Sequence, residues 1–164
     1  MFRYMTRVSR DEAGFTLVEL MVVVLIIAVL LAVAIPTFLQ MRERAQDVAA
    51  KSSVRITLTD AKSFTADNDS YLLVTSASLA GSEPSLTFVD ETTPSTGHSV
   101  ITQYVPDRLT TAKTFVAAAY SQAGKCFFLR DVTDAGTTFG ILDPSSVAQC
   151  TADNEGSVAF LPTW

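Results

Sequence analysis

The chain has 164 residues, room for one modest domain and one long element, and this length disfavours a two-domain enzyme. From residue 15 onward, 15 Asp/Glu stand against 9 Lys/Arg, so no broad nucleic-acid-binding surface is expected. The hydrophobic fraction of 48% is ordinary, but it is concentrated near the N-terminus.

A long apolar run follows a short, slightly basic segment of 14 residues. From Phe15 to Leu39 the only charged residue is Glu19. The run reaches the roughly 20 residues that a helix needs to cross the hydrocarbon core of a bilayer. The sequence therefore predicts a membrane-spanning segment over 15–39.

Helical spacing continues beyond the apolar run into a polar segment. Uncharged residues recur there at three- and four-residue intervals, with charged residues between them. We call these recurring uncharged residues of the segment the uncharged stripe: Met41, Ala45, Val48, Ala49, Ser52, Ile56 and Thr59. The first strong stop lies at 67–70, so one helix is predicted over about 15–66. Its second, amphipathic half is expected to pack on a domain through the uncharged stripe.

Beyond residue 70 the sequence changes to short runs rich in Val, Ile, Phe and Thr, broken by turn residues. Strands are predicted at 86–89, 99–105, 114–120, 126–130, 138–142 and 157–161. A hairpin turn is predicted at 121–124, and 71–98 is expected to be a surface loop with at most one short strand. The predicted fold class is α+β: a long N-terminal helix packed on an antiparallel sheet in a domain covering 67–164.

The chain has two cysteines, Cys126 and Cys150, which enclose a turn-rich stretch. A lone pair in a small domain suits an exported, oxidising compartment. We expect a disulfide between them that stabilises the domain by roughly 3–4 kcal/mol. Two free buried thiols are the alternative.

No constellation of residues suggests catalysis or metal binding. The sole histidine, His98, follows a Ser/Thr/Gly/Pro-rich stretch and is expected on the surface. There is no phosphate-binding glycine loop. The acidic residues of the C-terminal region fit no EF-hand spacing: Asp131, Asp134, Asp143, Asp153 and Glu155. We therefore predict no enzyme, no catalytic residue, no metal site and no cofactor.

The junction Gly14-Phe15-Thr16-Leu17-Val18-Glu19-Leu20-Met21 resembles the class III leader junction of type IV prepilins and type II secretion pseudopilins. The resemblance implies that a membrane prepilin peptidase cuts between Gly14 and Phe15 and that Phe15 is then N-methylated. Residues 1–14 would be a leader peptide. Glu19 would be the fifth residue after the cut and would pair with the α-amine of a neighbouring subunit.

Two features of this segment have other interpretations. Thr16-x-x-Glu19 is also a capping-box pattern. A cap is worth about 1 kcal/mol, less than the roughly 2.5–3.5 kcal/mol cost of a carboxylate at mid-bilayer, which favours a positive partner for Glu19. An ordinary signal peptide cut after 32–34 would instead leave Ile35 as the first mature residue.

Pro36 falls where type IV pilins usually have a helix-interrupting proline. A proline inside a helix removes one backbone donor and costs roughly 3 kcal/mol. It is either a tolerated transmembrane kink or, as the resemblance implies, a bend that loosens when subunits pack.

The resemblance implies a structural subunit, the major pilin of a type IV pilus. Its expected partners are further copies of itself, the prepilin peptidase, the membrane and, indirectly, an inner-membrane assembly platform with its ATPase. The precursor would lie in the cytoplasmic membrane and the assembled pilus on the cell surface. A pseudopilin of a type II secretion or competence system is the first alternative. A membrane-tethered extracytoplasmic binding or adhesin module is an alternative of another class.

Overall fold

The computed structural model describes residues 14–66, 69–107, 109–144 and 146–164. Of the expected leader, 1–13 lies outside the described residues. The chain forms two compact units: the first ends at Gln40 and the second runs from Met41 to Trp164.

Helix α1 runs from Leu17 to Ser63. The described residues of the first unit are all exposed. By length and composition alone, α1 is apolar enough to cross a membrane, with a mean hydropathy of 3.2 in an 18-residue window. Pro36 lies inside α1 without ending it, and the Thr37 hydroxyl donates to the Val33 carbonyl at 2.9 Å.

The part of α1 in the second unit packs on the domain, but not through the uncharged stripe. The buried residues of the helix are Ala50, Ser53, Val54, Thr57 and Ala61. At about 100° per residue, they lie on the side opposite the stripe. Met41 and Val48 remain 64% exposed, and Ile56 remains 40% exposed. The predicted packing face is therefore wrong.

Five strands form one sheet in chain order: β1 Thr87–Val89, β2 Val100–Tyr104, β3 Thr114–Tyr120, β4 Cys126–Val132 and β5 Gly136–Leu142. Strand β1 is parallel to β2, and all other neighbours are antiparallel. The hairpin turn at 121–124 is confirmed, since the Ser121 amide donates a hydrogen bond of 2.7 Å to the Lys125 carbonyl and Gly124 between them has a φ of +97°. The α+β fold class is confirmed.

The sixth predicted strand, at 157–161, is wrong. Residues Ala152–Ser157 form a 3-10 helix, and Leu161 makes only an isolated bridge to Phe139. Val158 lies so close to β5 that a Cβ on Gly140 would be 2.2 Å from its Cγ1. The segment thus packs closely on β5 at Gly140 and pairs with this edge strand only at Leu161, so no sixth strand forms.

The predicted loop at 71–98 contains a short helix that the sequence did not reveal. Helix α2 runs from Ser76 to Ser82 and begins with a capping box between Thr75 and Ser78. Serine at this third helical position is a weaker sequence signal than the Glu or Gln of the usual pattern.

The sheet buries a hydrophobic cluster on each side, as alternation along the strands requires. Phe115, Phe127 and Leu129 belong to the cluster that includes the buried residues of α1. Phe128 belongs to the opposite cluster, with the Cys126–Cys150 disulfide. The expected disulfide is confirmed.

Removing this disulfide should weaken the domain substantially. A loop of about 25 residues is expected to contribute roughly 3.5 kcal/mol in the chain-entropy model. We expect the double variant Cys126→Ala/Cys150→Ala to lose about that free energy of unfolding in a denaturant titration. Reducing the wild-type protein under the same conditions is the control, and it should move the midpoint equally. Unchanged midpoints in both would contradict the assignment of a stabilising role.

Candidate functional site

The start of α1 is organised by a capping box. The Glu19 amide donates to the Thr16 hydroxyl at 3.1 Å, and the Thr16 amide and hydroxyl each reach the Glu19 carboxylate at 3.5 Å. These contacts are exposed, and the two donor contacts to the carboxylate are long for hydrogen bonds. Among the residues that the structure describes, Glu19 has no ion-pair partner. Its charge is therefore available to a partner outside the chain.

The expected cleavage junction is open. Phe15 is 81% exposed, and a Cβ added to Gly14 would have no atom within 4 Å. The packing of the chain itself therefore does not require glycine at position 14. Any strict requirement for it would come from a protein that recognises the junction.

The structure places the predicted site residues in separate regions. Gly14 and Phe15 directly precede α1 and Glu19 lies in its first turn, whereas Pro36 lies about 25 Å beyond Glu19 along α1 at 1.5 Å per residue. The disulfide belongs to the second unit. His98 is exposed, as expected. Within the described residues, no group of three or more His, Cys, Asp or Glu side chains could hold a metal ion.

Within the second unit, a buried carboxylate of β4 links the sheet to the end of α1. Asp131, 2% exposed, accepts hydrogen bonds from the Tyr71 hydroxyl at 2.5 Å and from the Thr137 hydroxyl, and pairs with Lys62 of α1 at 3.0 Å. Burial alone would raise the pKa of Asp131, but the bonds from Thr137 and Tyr71 and the charge of Lys62 lower it. Burial, and then the bond to Asp131, raise the pKa of Tyr71. The carboxylate is therefore held ionised.

Cations of α1 cover an aromatic cluster. The Lys51 ammonium lies 5.1 Å from the Phe127 ring centroid, and the Arg55 guanidinium lies 4.7 Å from that of Trp164. Trp164 also contacts Phe139, with ring centroids 4.5 Å apart. These cation–π contacts bind the C-terminal segment to the helix.

The β3–β4 turn is held on α1 near the start of the second unit. The Ser121 hydroxyl donates to the Asp47 carboxylate at 2.6 Å, and the Lys125 ammonium lies 3.5 Å from it. Sequence reasoning did not find these fastening residues. Their one signal is the four-residue spacing of Asp47, Lys51 and Arg55, which marks a charged face without indicating what it meets.

A methylation-type junction on an apolar helix that continues into an α+β domain is the arrangement of the type IV pilin class. Residues 9–35 match the family model of the prokaryotic N-terminal methylation motif. The predicted resemblance to type IV pilins is therefore confirmed for the N-terminal part of the chain.

Three relatives are similar over part of the chain. Over 68 residues the chain is 44% identical to the type IV major pilin protein PilA of Myxococcus xanthus, covering 40% of this chain and 31% of PilA. It is 40% identical over 62 residues to the type IV wide pilus major component PilA4 of Thermus thermophilus, and the alignment covers 38% of this chain and 47% of PilA4. It is 37% identical over 65 residues to the competence protein ComGC of Halalkalibacterium halodurans, and the alignment covers 40% of this chain and 64% of ComGC.

The aligned region therefore spans about a third to two thirds of each relative's own length. No solved structure is significantly similar to the chain. The relatives include both pilins and a competence protein, so the similarity supports the class and leaves the choice within it to experiment.

Proposed function

We propose that the protein is the major structural subunit of a type IV pilus, polymerising through α1 into a surface filament. The observation that carries this proposal is the methylation motif at 9–35, together with the apolar first part of α1, whose residues up to Gln40 are all exposed. The precursor would lie in the cytoplasmic membrane, and the mature subunit would leave it for the filament.

The exposed apolar surface of α1 supplies the physical reason for assembly. Lipid covers this surface in the membrane, whereas water would cost about 25 cal/mol for each Å² of apolar area exposed. Subunits that leave lipid therefore bury their helices against one another, with small residues such as Ala28 and Ala32 allowing close approach. A head-to-tail contact of this kind extends into an open helical filament.

Processing by a prepilin peptidase between Gly14 and Phe15 is part of the proposal. The expected mature chain begins with N-methylated Phe15. The other inner-membrane partners, the assembly platform and its ATPase, would act on this mature form.

A charged substitution at the junction should block maturation without disturbing the fold. Because a side chain at position 14 meets open space, Gly14→Arg should insert in the membrane and fold normally, yet remain uncut. Gly14→Ala is the matched control for loss of glycine without added charge or bulk. Mass spectrometry of the N-terminus provides the readout. Efficient cleavage of Gly14→Arg at Phe15, or a mature chain starting at Ile35, would count against the proposal.

The second candidate function is that of a pseudopilin, favoured by the similarity to ComGC. Deletion of the protein followed by imaging of cell-surface filaments separates the candidates. A major pilin should be essential for abundant filaments and be their main component in sheared material. A pseudopilin, or a tethered adhesin module that never polymerises, should leave such filaments in place.

A further inference from the structure

We propose that Arg42 and Arg44 bind the headgroups of anionic phospholipids and hold the second unit on the membrane surface before assembly. The inference deepens the proposed function, because it requires that α1 be inserted in a bilayer. The two arginines lie in the short polar segment of α1 that directly follows the apolar run.

Both arginines are exposed and available for binding. Among the described residues neither has an ion-pair partner, whereas Lys51 and Arg55 farther along the helix lie over aromatic rings. Glu43, between the two arginines, is also exposed. The pair is thus a charged feature of α1 that contacts within the chain do not explain.

Charge is distributed unevenly along the second unit. Residues 41–55 contain four Lys/Arg against two Asp/Glu, whereas 56–164 contain five Lys/Arg against twelve Asp/Glu. The basic end of this unit is the end from which the apolar part of α1 continues. A negative surface would attract the 41–55 segment and repel the rest of the unit.

Position along the helix favours lipid as the partner. Measured from Leu39, where the predicted membrane-spanning segment ends, Arg42 and Arg44 lie about 4.5 and 7.5 Å farther along α1 at 1.5 Å per residue. The headgroup layer on each side of the hydrocarbon core is roughly 5–7 Å thick, so an inserted α1 brings both guanidinium groups to phosphate level. Guanidinium groups bind phosphate through paired hydrogen bonds, and a net negative headgroup adds attraction.

The test uses the full chain in vesicles of phosphatidylcholine with and without phosphatidylglycerol. A nitroxide on Ala45→Cys, one helical turn beyond Met41, reports depth through its accessibility to an aqueous collision reagent. The label should lie deeper in vesicles that contain phosphatidylglycerol. Arg42→Gln/Arg44→Gln should lower the ratio of docked to undocked protein about thirtyfold, or about fivefold for each arginine. High salt should produce a similar loss.

Matched variants distinguish the site from general charge. Lys113→Gln removes one positive charge at the opposite end of β3 from the turn that contacts α1, and it should retain the lipid dependence. Glu43→Gln should retain or strengthen it. An unchanged depth for the wild type in the two lipids, or a lipid dependence that survives in the double variant, would overturn the proposal.

Two further outcomes are distinguishable. If the double variant loses self-association but lipid charge has no effect, the arginines serve an acidic surface of a second copy and the lipid proposal is wrong. A second label at Val29→Cys reports insertion itself. If that label is not in the hydrocarbon region, membrane anchoring has failed and the proposed function falls with it.

Discussion

Glu19→Ala subunits should be made, inserted and folded with their disulfide intact, yet enter filaments poorly. Cleavage would place a positive amine on Phe15, and a neighbouring subunit in a staggered filament could present that amine to Glu19. Two unit charges about 4 Å apart attract by roughly 4 kcal/mol at an effective dielectric near 20, before desolvation is subtracted. Removing one member of a buried pair costs about 3–5 kcal/mol, because the other is left unpaired. Filament yield should therefore fall a hundredfold or more.

The capping box that the structure shows is the competing explanation, and substitutions can separate the two. Glu19→Gln keeps the capping function, since Gln also serves in capping boxes, but it removes the charge. Thr16→Val removes the box and keeps the charge. If pairing governs assembly, Glu19→Gln should fail, Glu19→Asp should recover partly and Thr16→Val should assemble. The reverse pattern in sheared-filament yields would return Glu19 to a capping role.

Local signals in the sequence were sufficient to predict the methylation motif, the long helix and, within a few residues, all five strands of the sheet. The leader junction and the apolar run are read from neighbouring residues, and β-branched and aromatic runs form β2 to β5 because each packs on both sides of the sheet. The pairing of Cys126 with Cys150 needed no geometry, since no other cysteine exists.

The packing face of α1 could not be predicted, because uncharged residues line two opposite sides of the helix: the uncharged stripe on one side and the buried residues on the other. The domain covers only one of these two sides, and the sequence of the helix alone does not show which one. Ala117 and Ala119 of β3 belong to the same buried cluster as Ala50 and Ala61 of α1, so the side of the helix that carries the small buried residues is the one that the domain covers. Larger side chains such as Val48 remain outside, where they extend the exposed apolar surface of the helix.

The fastening contacts were also beyond sequence reasoning, for a different reason. Trp164 and Arg55 are separated by 109 positions, and no local pattern links them. Asp131 appeared in the sequence as one of several acidic residues in turns. Only the fold shows that it is a buried strand residue facing Tyr71 and Lys62.

Asp131→Asn should destabilise the second unit by roughly 3 kcal/mol at neutral pH. The variant loses the charge-assisted hydrogen bonds that Asp131 accepts from Tyr71 and Thr137, each worth about 1.5–3 kcal/mol. The side-chain amide of asparagine can still accept neutral hydrogen bonds, which recover part of this energy. The ion pair with Lys62 adds under about 1 kcal/mol, because the lysine side chain is 49% exposed. Lys62→Met, the matched control, should therefore cost much less than Asp131→Asn.

The dependence of this difference on pH tests whether the charge of Asp131 is what stabilises. The folded state lowers the pKa of Asp131, so its contribution is fully present above the unfolded pKa near 3.9 and is lost as pH falls through the folded value. In denaturant titrations the gap in unfolding free energy between wild type and Asp131→Asn should stay constant from about pH 7 to 5 and narrow below about pH 4. Burial raises the pKa of Glu155, but that carboxyl is common to both proteins and cancels in the difference. A gap that does not change down to the lowest pH at which both proteins fold would mean that Asp131 acts by shape and neutral hydrogen bonding rather than by charge.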